Sequence, residues 1–128
     1  FELKKIKDLL KNSGQLEFRI VANSRDHHDI LALARASGVG AADAIKLLGH
    51  LDLNAMVARR GANMARGDFA ASFELTMARK DVGLMLEAIG DGPLAALPAI
   101  AARMDQLIAA GHGAKDASAM AIDAVRPG

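Results

Sequence analysis

The chain has 128 residues, which suits one domain with a core that needs no disulfides. It contains no cysteine, which excludes disulfides and thiolate metal sites and leads us to expect a reducing, cytoplasmic location. The net charge is only +1, so nothing in the charge balance favours binding to nucleic acid or an anionic membrane. Apolar residues make up 52% of the sequence, yet no apolar run approaches the roughly 18–20 residues of a membrane span.

Residues 1–30 are predicted to form an N-terminal arm of helix, turn and strand. Apolar residues in 1–12 recur at helical spacing, and Ser13-Gly14 is a typical helix end. Apolar and charged residues then alternate over 15–22, which is the pattern of a short, half-buried strand.

Residues 31–128 are predicted to form an all-helical domain. Its apolar residues recur at helical spacing, and glycines stand where helices would end. From residue 26 onward, the predicted helices are 26–36, 41–48, 53–66, 73–89, 94–110 and 116–125. Ser72 is the expected cap of the fourth of these helices. The fold class is therefore mainly α, a multi-helix bundle with one short N-terminal β-strand.

A lone strand among helices would leave its backbone donors and acceptors without partners. Antiparallel pairing with the same strand of a second chain would satisfy them, and would set Glu17 of each chain opposite Arg19 of the other. We therefore predict a homodimer through residues 15–22. Its predicted interface residues are Leu16, Glu17, Phe18, Arg19 and Ile20. Two alternatives are that this segment is helical, or that it packs as a coil on the helices.

The predicted helix 73–89 carries polar residues on its apolar side. A helical wheel places Glu74 and Asp81 on the apolar arc, where an unpaired carboxylate would be costly. The preceding helix offers polar partners for them: Arg59, Arg60 and Asn63. For Asp81, a buried polar contact between the two helices is favoured over a catalytic or ligand-binding role. Lys80 lies at the seam between the polar and apolar arcs, from which a long cationic side chain could reach a cleft.

The sequence between residues 64 and 84 carries a specific motif. Met64-Ala-Arg-Gly-Asp-Phe69 is followed by Phe73-Glu-Leu-Thr-Met-Ala-Arg-Lys-Asp-Val-Gly-Leu84. On this motif, the chain from about Ile30 to Val125 resembles the β-hydroxyacid dehydrogenase family, which includes 3-hydroxyisobutyrate dehydrogenase. The resemblance implies a helical C-terminal domain, of the 6-phosphogluconate dehydrogenase type, that closes over the cofactor of a Rossmann domain and supplies dimer contacts. It also implies that Lys80 lies in the cleft near the nicotinamide and the substrate.

Other essential parts of that family have no counterpart here. No Rossmann domain is present, and Gly38-Val-Gly40 follows no predicted strand, so it is not a dinucleotide fingerprint. The family's catalytic Lys and the Asn that follows it are matched only by Arg19 and Asn23, and arginine cannot act as a general acid at neutral pH. We therefore predict no catalytic residue and no enzyme activity for the chain on its own. The resemblance then implies that Lys80 is a vestigial cofactor contact and that NAD(P) would bind only if a Rossmann domain is supplied.

The N-terminal arm is similar to a different protein. Ile6-Lys-Asp-Leu-Leu10 and Ser13-Gly-Gln-Leu-Glu-Phe-Arg19 resemble the helix, turn and strand in the exported head of the protein-export subunit SecD, over about residues 1–30. The resemblance therefore changes from one family to an unrelated one near residue 30, and in each case the rest of the family's sequence is missing. This pattern indicates a chimeric or recombined chain. A divergent natural dehydrogenase fragment is the alternative.

The histidines do not predict a metal site. In Asp26-His27-His28-Asp29, adjacent side chains on a helix would point about 100° apart, so the two histidines could not easily share one metal. The sequence thus predicts a non-catalytic, self-associating helical domain that contains a dehydrogenase-like segment. The alternative is the substrate-side or dimerisation fragment of an NAD(P)-dependent β-hydroxyacid dehydrogenase. A binding module in protein export is a third hypothesis.

Overall fold

A computed structural model describes residues 28–48 and 53–125 of the chain. Within these segments the protein is mainly helical, as predicted, and contains no strand. The helices are α1 (His28–Ala36), α2 (Ala41–Leu48), α3 (Leu53–Ala65), α4 (Leu75–Ile89) and α5 (Leu97–Leu107). A π-helical turn, Ile108–His112, and a 3-10 helix, Ala117–Ala121, follow α5. The predicted strand and the predicted interface residues Leu16, Glu17, Phe18, Arg19 and Ile20 lie outside the described residues.

Glycine ends several helices where the sequence predicts it. Gly67 and Gly90, which follow α3 and α4, both have φ of 70°, a left-handed conformation that glycine adopts without steric cost. The amide of Gly90 also closes α4 by donating to the carbonyl of Leu86 at 3.0 Å.

Two helix predictions were wrong in detail. The last predicted helix, 116–125, is a 3-10 helix followed by turns, and Asp116 is its N-cap. Ser72 does not cap α4, because α4 begins at Leu75 and its N-cap residue, Glu74, makes no side-chain cap. The Ser72 hydroxyl instead donates to the carboxylate of Asp116 at 3.1 Å.

The core lies mainly between α4 and α5. Buried residues of α4 recur with helical period and pack against the buried side of α5 and against α1. The core comprises Ile30, Leu33, Leu75, Ala78, Val82, Met85, Leu97, Ala101, Met104, Leu107 and Ala117. Small alanines at the contact between α4 and α5 allow the two backbones to approach closely.

A buried carboxylate from α1 caps α5. The N-cap residue of α5, Ala96, has no side chain that could accept a hydrogen bond. Asp29 supplies the acceptor instead, since its carboxylate accepts from the backbone amides of Ala95 at 2.6 Å, Ala96 at 2.8 Å and Leu97 at 2.5 Å. This contact fixes the start of α5 against the start of α1 and complements the positive end of the α5 dipole.

Candidate functional site

The carboxylate of Asp116 organises the region where α3, the segment before α4 and the 3-10 helix meet. It accepts six hydrogen bonds, and its residue is buried. The closest are from the Ser118 hydroxyl at 2.5 Å and from Arg60 Nη1 at 2.6 Å. The amides of Ser72, Phe73 and Ser118 donate at 3.1, 3.2 and 3.0 Å. These contacts use all of the acceptor capacity of a carboxylate.

Backbone pairing holds the same two segments together. The amide of Leu75 donates to the carbonyl of Lys115 at 2.8 Å, and the amide of Ala117 donates to the carbonyl of Phe73 at 2.8 Å. The segment before α4 therefore runs antiparallel to the segment before the 3-10 helix. This pairing brings Asp116 to Ser72 and Phe73, more than forty positions away in the sequence.

Hydrogen bonds decide the charge state of this carboxyl. Burial raises the pKa of Asp116, but the hydrogen bonds from Ser118, Phe73 and Ser72 outweigh burial and hold the pKa below its ordinary value. Asp116 is therefore ionised at neutral pH. It forms an ion pair with Arg60, whose side chain is 20% exposed.

A cavity of ≈390 Å³ opens beside this ion pair. The C-terminal half of α3 forms one wall, and the segment between α3 and α4 forms another. The lining residues are Arg59, Arg60, Asn63, Asp68, Ala70, Ser72, Asp116 and Ser118. The cavity thus carries two cationic and two anionic side chains.

The predicted partners of Glu74 and Asp81 were wrong. Arg60 binds Asp116, and the side-chain amide oxygen of Asn63 accepts from Arg66. Glu74 is exposed, because it precedes α4 with an extended backbone and so does not follow the helical wheel. Asp81 is buried, and burial raises its pKa while the positive charge of Lys80 opposes the rise.

Lys80 lies on the outer face of α4, which we define as Met77, Lys80, Leu84 and Glu87. These four residues are exposed, and Met77 and Leu84 keep 44% and 42% of their surface accessible. The helical wheel predicted Lys80 at the seam between the polar and apolar arcs, but the buried stripe of α4 is centred on Leu75, Ala78, Val82 and Met85. The outer face is on the opposite side of the helix from that stripe.

The described residues contain no cluster of side chains that could hold a metal ion. His28 Nδ1 contacts Asp29 at 2.8 Å, whereas Nδ1 of half-buried His112 has no hydrogen-bond partner. Arg19 and Asn23, the nearest match to the family's catalytic pair, lie outside the described residues, as does His27.

Comparison with known proteins identifies no relative: no family model, curated protein or solved structure matches the chain. The resemblances to a dehydrogenase domain and to SecD therefore stay predictions. In the described segments, no helix is both long and apolar enough to cross a membrane.

The sequence could not have identified the Asp116 site from local patterns. Asp116 and Arg60 are 56 positions apart, and no periodicity joins them. One signal was available, since Asp116 is separated from Ser118 by one residue at the start of a predicted helix, a typical capping arrangement.

Proposed function

We propose that the chain is a non-catalytic helical domain that self-associates, and that the outer face of α4 is its contact surface within the described residues. The observation that carries this proposal is the exposure of Met77 and Leu84 beside Lys80 and Glu87 on one side of a 15-residue helix. The predicted interface over residues 15–22 is a separate hypothesis. The cytoplasm remains the proposed location, because the chain has no cysteine.

The spacing of the outer face suits a second helix. Met77, Lys80, Leu84 and Glu87 follow each other at intervals of three and four residues, which is the seam of two helices packed side by side. Exposed apolar side chains at such a seam are stabilised when a partner covers them.

Charge complementarity favours a second copy of the chain as the partner. When two α4 helices pack antiparallel about the Gly83–Leu84 step, Lys80 of each copy lies opposite Glu87 of the other. Two opposite-charge pairs then flank the apolar contact of the two Leu84 side chains. Parallel packing would place Lys80 against Lys80, which is unfavourable, so the charges favour the antiparallel dimer.

The second candidate function is the helical part of an NAD(P)-dependent dehydrogenase, which would work only beside a Rossmann domain. The exposure of Lys80 favours it, because the resembled family uses the lysine at this position near the cofactor. In that case another protein domain, rather than a second copy, covers the outer face. The hypothesis that the chain is chimeric or recombined rests only on its resemblances to the dehydrogenase family and to SecD.

Sedimentation equilibrium with charge-reversed variants tests the proposal. Lys80→Glu and Glu87→Lys should each weaken the dimer, because each places like charges opposite one another. The double variant Lys80→Glu/Glu87→Lys should restore it, because the pairs are re-formed with exchanged signs. Arg35→Glu, an equal charge reversal at an exposed position of α1, is the matched control and should leave the dimer unchanged.

A wild-type chain that stays monomeric at high micromolar concentration would contradict self-association. A dimer that none of the α4 variants affects would exclude the outer face and point to residues 15–22. Calorimetric titration with NAD(P) in the presence of an added Rossmann domain of that family distinguishes the second candidate, since heat of binding that requires both proteins would support a dehydrogenase fragment over a non-catalytic dimer.

A further inference from the structure

The cavity beside Arg60 and Asp116 carries two charges that no ion pair among the described residues neutralises. Of the four ionisable side chains in its lining, Arg60 and Asp116 neutralise each other at 2.6 Å. The other two, Arg59 and Asp68, belong to none of the ion pairs in the described segments. One positive and one negative side chain therefore remain available to a ligand.

Arg59 and Asp68 are both exposed, and they approach the cavity from different elements. Arg59 belongs to α3, whereas Asp68 follows the Gly67 turn after that helix. Asp68 Oδ1 accepts a hydrogen bond from the amide of Ala70 at 3.1 Å, which fixes the carboxylate and leaves Oδ2 free to accept another.

The remaining polar groups of the cavity add hydrogen-bond donors. Arg60 uses Nη1 for Asp116 and Nη2 for the Ser72 hydroxyl at 3.3 Å, so further N–H groups of its guanidinium remain unused. Asn63 accepts from Arg66 through Oδ1, which leaves its amide nitrogen as a donor. These donors belong to α3, as Arg59 does, and the free acceptor belongs to Asp68.

A cavity whose charged lining sums to zero does not favour a dianion or a dication. It suits a small molecule that carries one charge of each sign, because each charge then meets its opposite. We propose that this cavity binds a small zwitterion, such as a free amino acid, with its carboxylate on Arg59 and its ammonium group on Asp68. The volume of ≈390 Å³ leaves space for a side chain as well.

Titration with three related compounds, followed by amide NMR of the full chain, tests this assignment. L-alanine carries both charges, propionate only the carboxylate, and ethylamine only the ammonium group. The amide of Ala70 is the reporter, because it donates to the carboxylate that would receive the ammonium group. We expect a saturable shift with L-alanine and a dissociation constant about tenfold lower than for either single-charge compound.

Two variants and two controls complete the experiment. Arg59→Gln and Asp68→Asn should each raise the dissociation constant of L-alanine about tenfold, to the level of a single-charge compound. In Asp68→Asn the amide of Ser72 serves as the reporter. Arg35→Gln and Asp91→Asn change exposed charges away from this cavity and should leave the dissociation constant unchanged. Circular dichroism checks that each variant is folded.

Propionate binding as tight as L-alanine would overturn the assignment, since it would show a simple anion site. An unmoved Ala70 amide at saturating L-alanine would overturn it too. So would an equal loss of affinity in Arg35→Gln and Arg59→Gln, because binding would then depend on net charge rather than on this cavity.

Discussion

Arg60 Nη1 lies 2.6 Å from Oδ2 of Asp116, and the two side chains are only 20% and 6% exposed. The pair joins α3 to the 3-10 helix across 56 positions of sequence. Because the same carboxylate also accepts the amides of Ser72 and Phe73, one side chain connects three separate segments of the fold. Asp116 is therefore the residue on which the geometry of the cavity depends most.

We expect Asp116→Ala to lower the free energy of unfolding by about 3–5 kcal/mol, because it leaves Arg60 and several backbone amides without their acceptor. Urea unfolding monitored by circular dichroism measures this loss. Asp91→Ala removes an exposed carboxylate and should change the free energy of unfolding by less than about 0.5 kcal/mol. A loss below about 1 kcal/mol for Asp116→Ala would show that water replaces the carboxylate easily.

The α4 helix shows what a sequence can and cannot predict. Its C-terminal end at Ile89 was predicted correctly, because Gly90 is a local signal that needs no tertiary context. Its buried side was predicted less well. Met77 and Leu84 are as apolar as Leu75 and Met85, so a wheel of α4 alone cannot tell which apolar residues α5 covers.

The polar contacts were the least predictable part of the structure. Asp29 was considered only as part of a histidine-rich helix start, yet its carboxylate caps α5, 66 to 68 positions later. Asp116 was expected to begin a helix, which was correct, but its bond to Arg60 was not foreseen. Such contacts depend on how distant segments pack, and single-sequence patterns carry information only over a few turns.

We expect Asp29→Ala to destabilise the protein by about 2 kcal/mol, because the first turn of α5 loses the side-chain acceptor of three backbone amides. Hydrogen exchange locates the effect, since the amides of Ala95, Ala96 and Leu97 should lose protection before the rest of α5. Asp29→Asn keeps one acceptor oxygen and should therefore lose less stability than Asp29→Ala. Equal exchange at these amides in wild type and Asp29→Ala would contradict the capping role.

Protonation of Asp29 and Asp116 should destabilise the folded protein in acid. Burial raises the pKa of each carboxyl, but hydrogen bonds outweigh it, so both folded-state values lie below the ordinary 3.8. As the pH falls below about 4, these two carboxyl groups take up protons in the unfolded state before they do so in the folded state, and this favours unfolding. The contribution of these two groups is present above about pH 4 and is lost as the pH falls through their folded pKa values.

Urea titrations between pH 7 and pH 2.5 should therefore show a steep loss of stability below about pH 4. The double variant Asp29→Asn/Asp116→Asn should start less stable at pH 7 and lose less on acidification, because neither position titrates. If the free energy of unfolding fell equally with pH in this variant and in the wild type, other groups would cause the acid sensitivity.

Asp81 should have the opposite pH dependence. Its carboxyl is buried, and burial raises its pKa against the opposing charge of Lys80. Above the ordinary value of 3.8, the folded state therefore binds the proton more tightly than the unfolded state, and stability is lost as the pH rises through the folded pKa. Asp81→Asn removes the buried charge at neutral pH while keeping the size of the side chain, and should stabilise the protein at pH 7 by about 1 kcal/mol.

The gain from Asp81→Asn should shrink as the pH falls toward 3.8 and below, where the wild-type carboxyl is protonated in both states. Urea midpoints at pH 7 and pH 3.5 measure the difference, and Asp91→Asn serves as the exposed control with no expected pH-dependent gain. A destabilised Asp81→Asn at pH 7 would mean that the ionised carboxylate makes a favourable contact that outweighs its burial. Asp81 would then be a stabilising charge in α4 rather than a tolerated one.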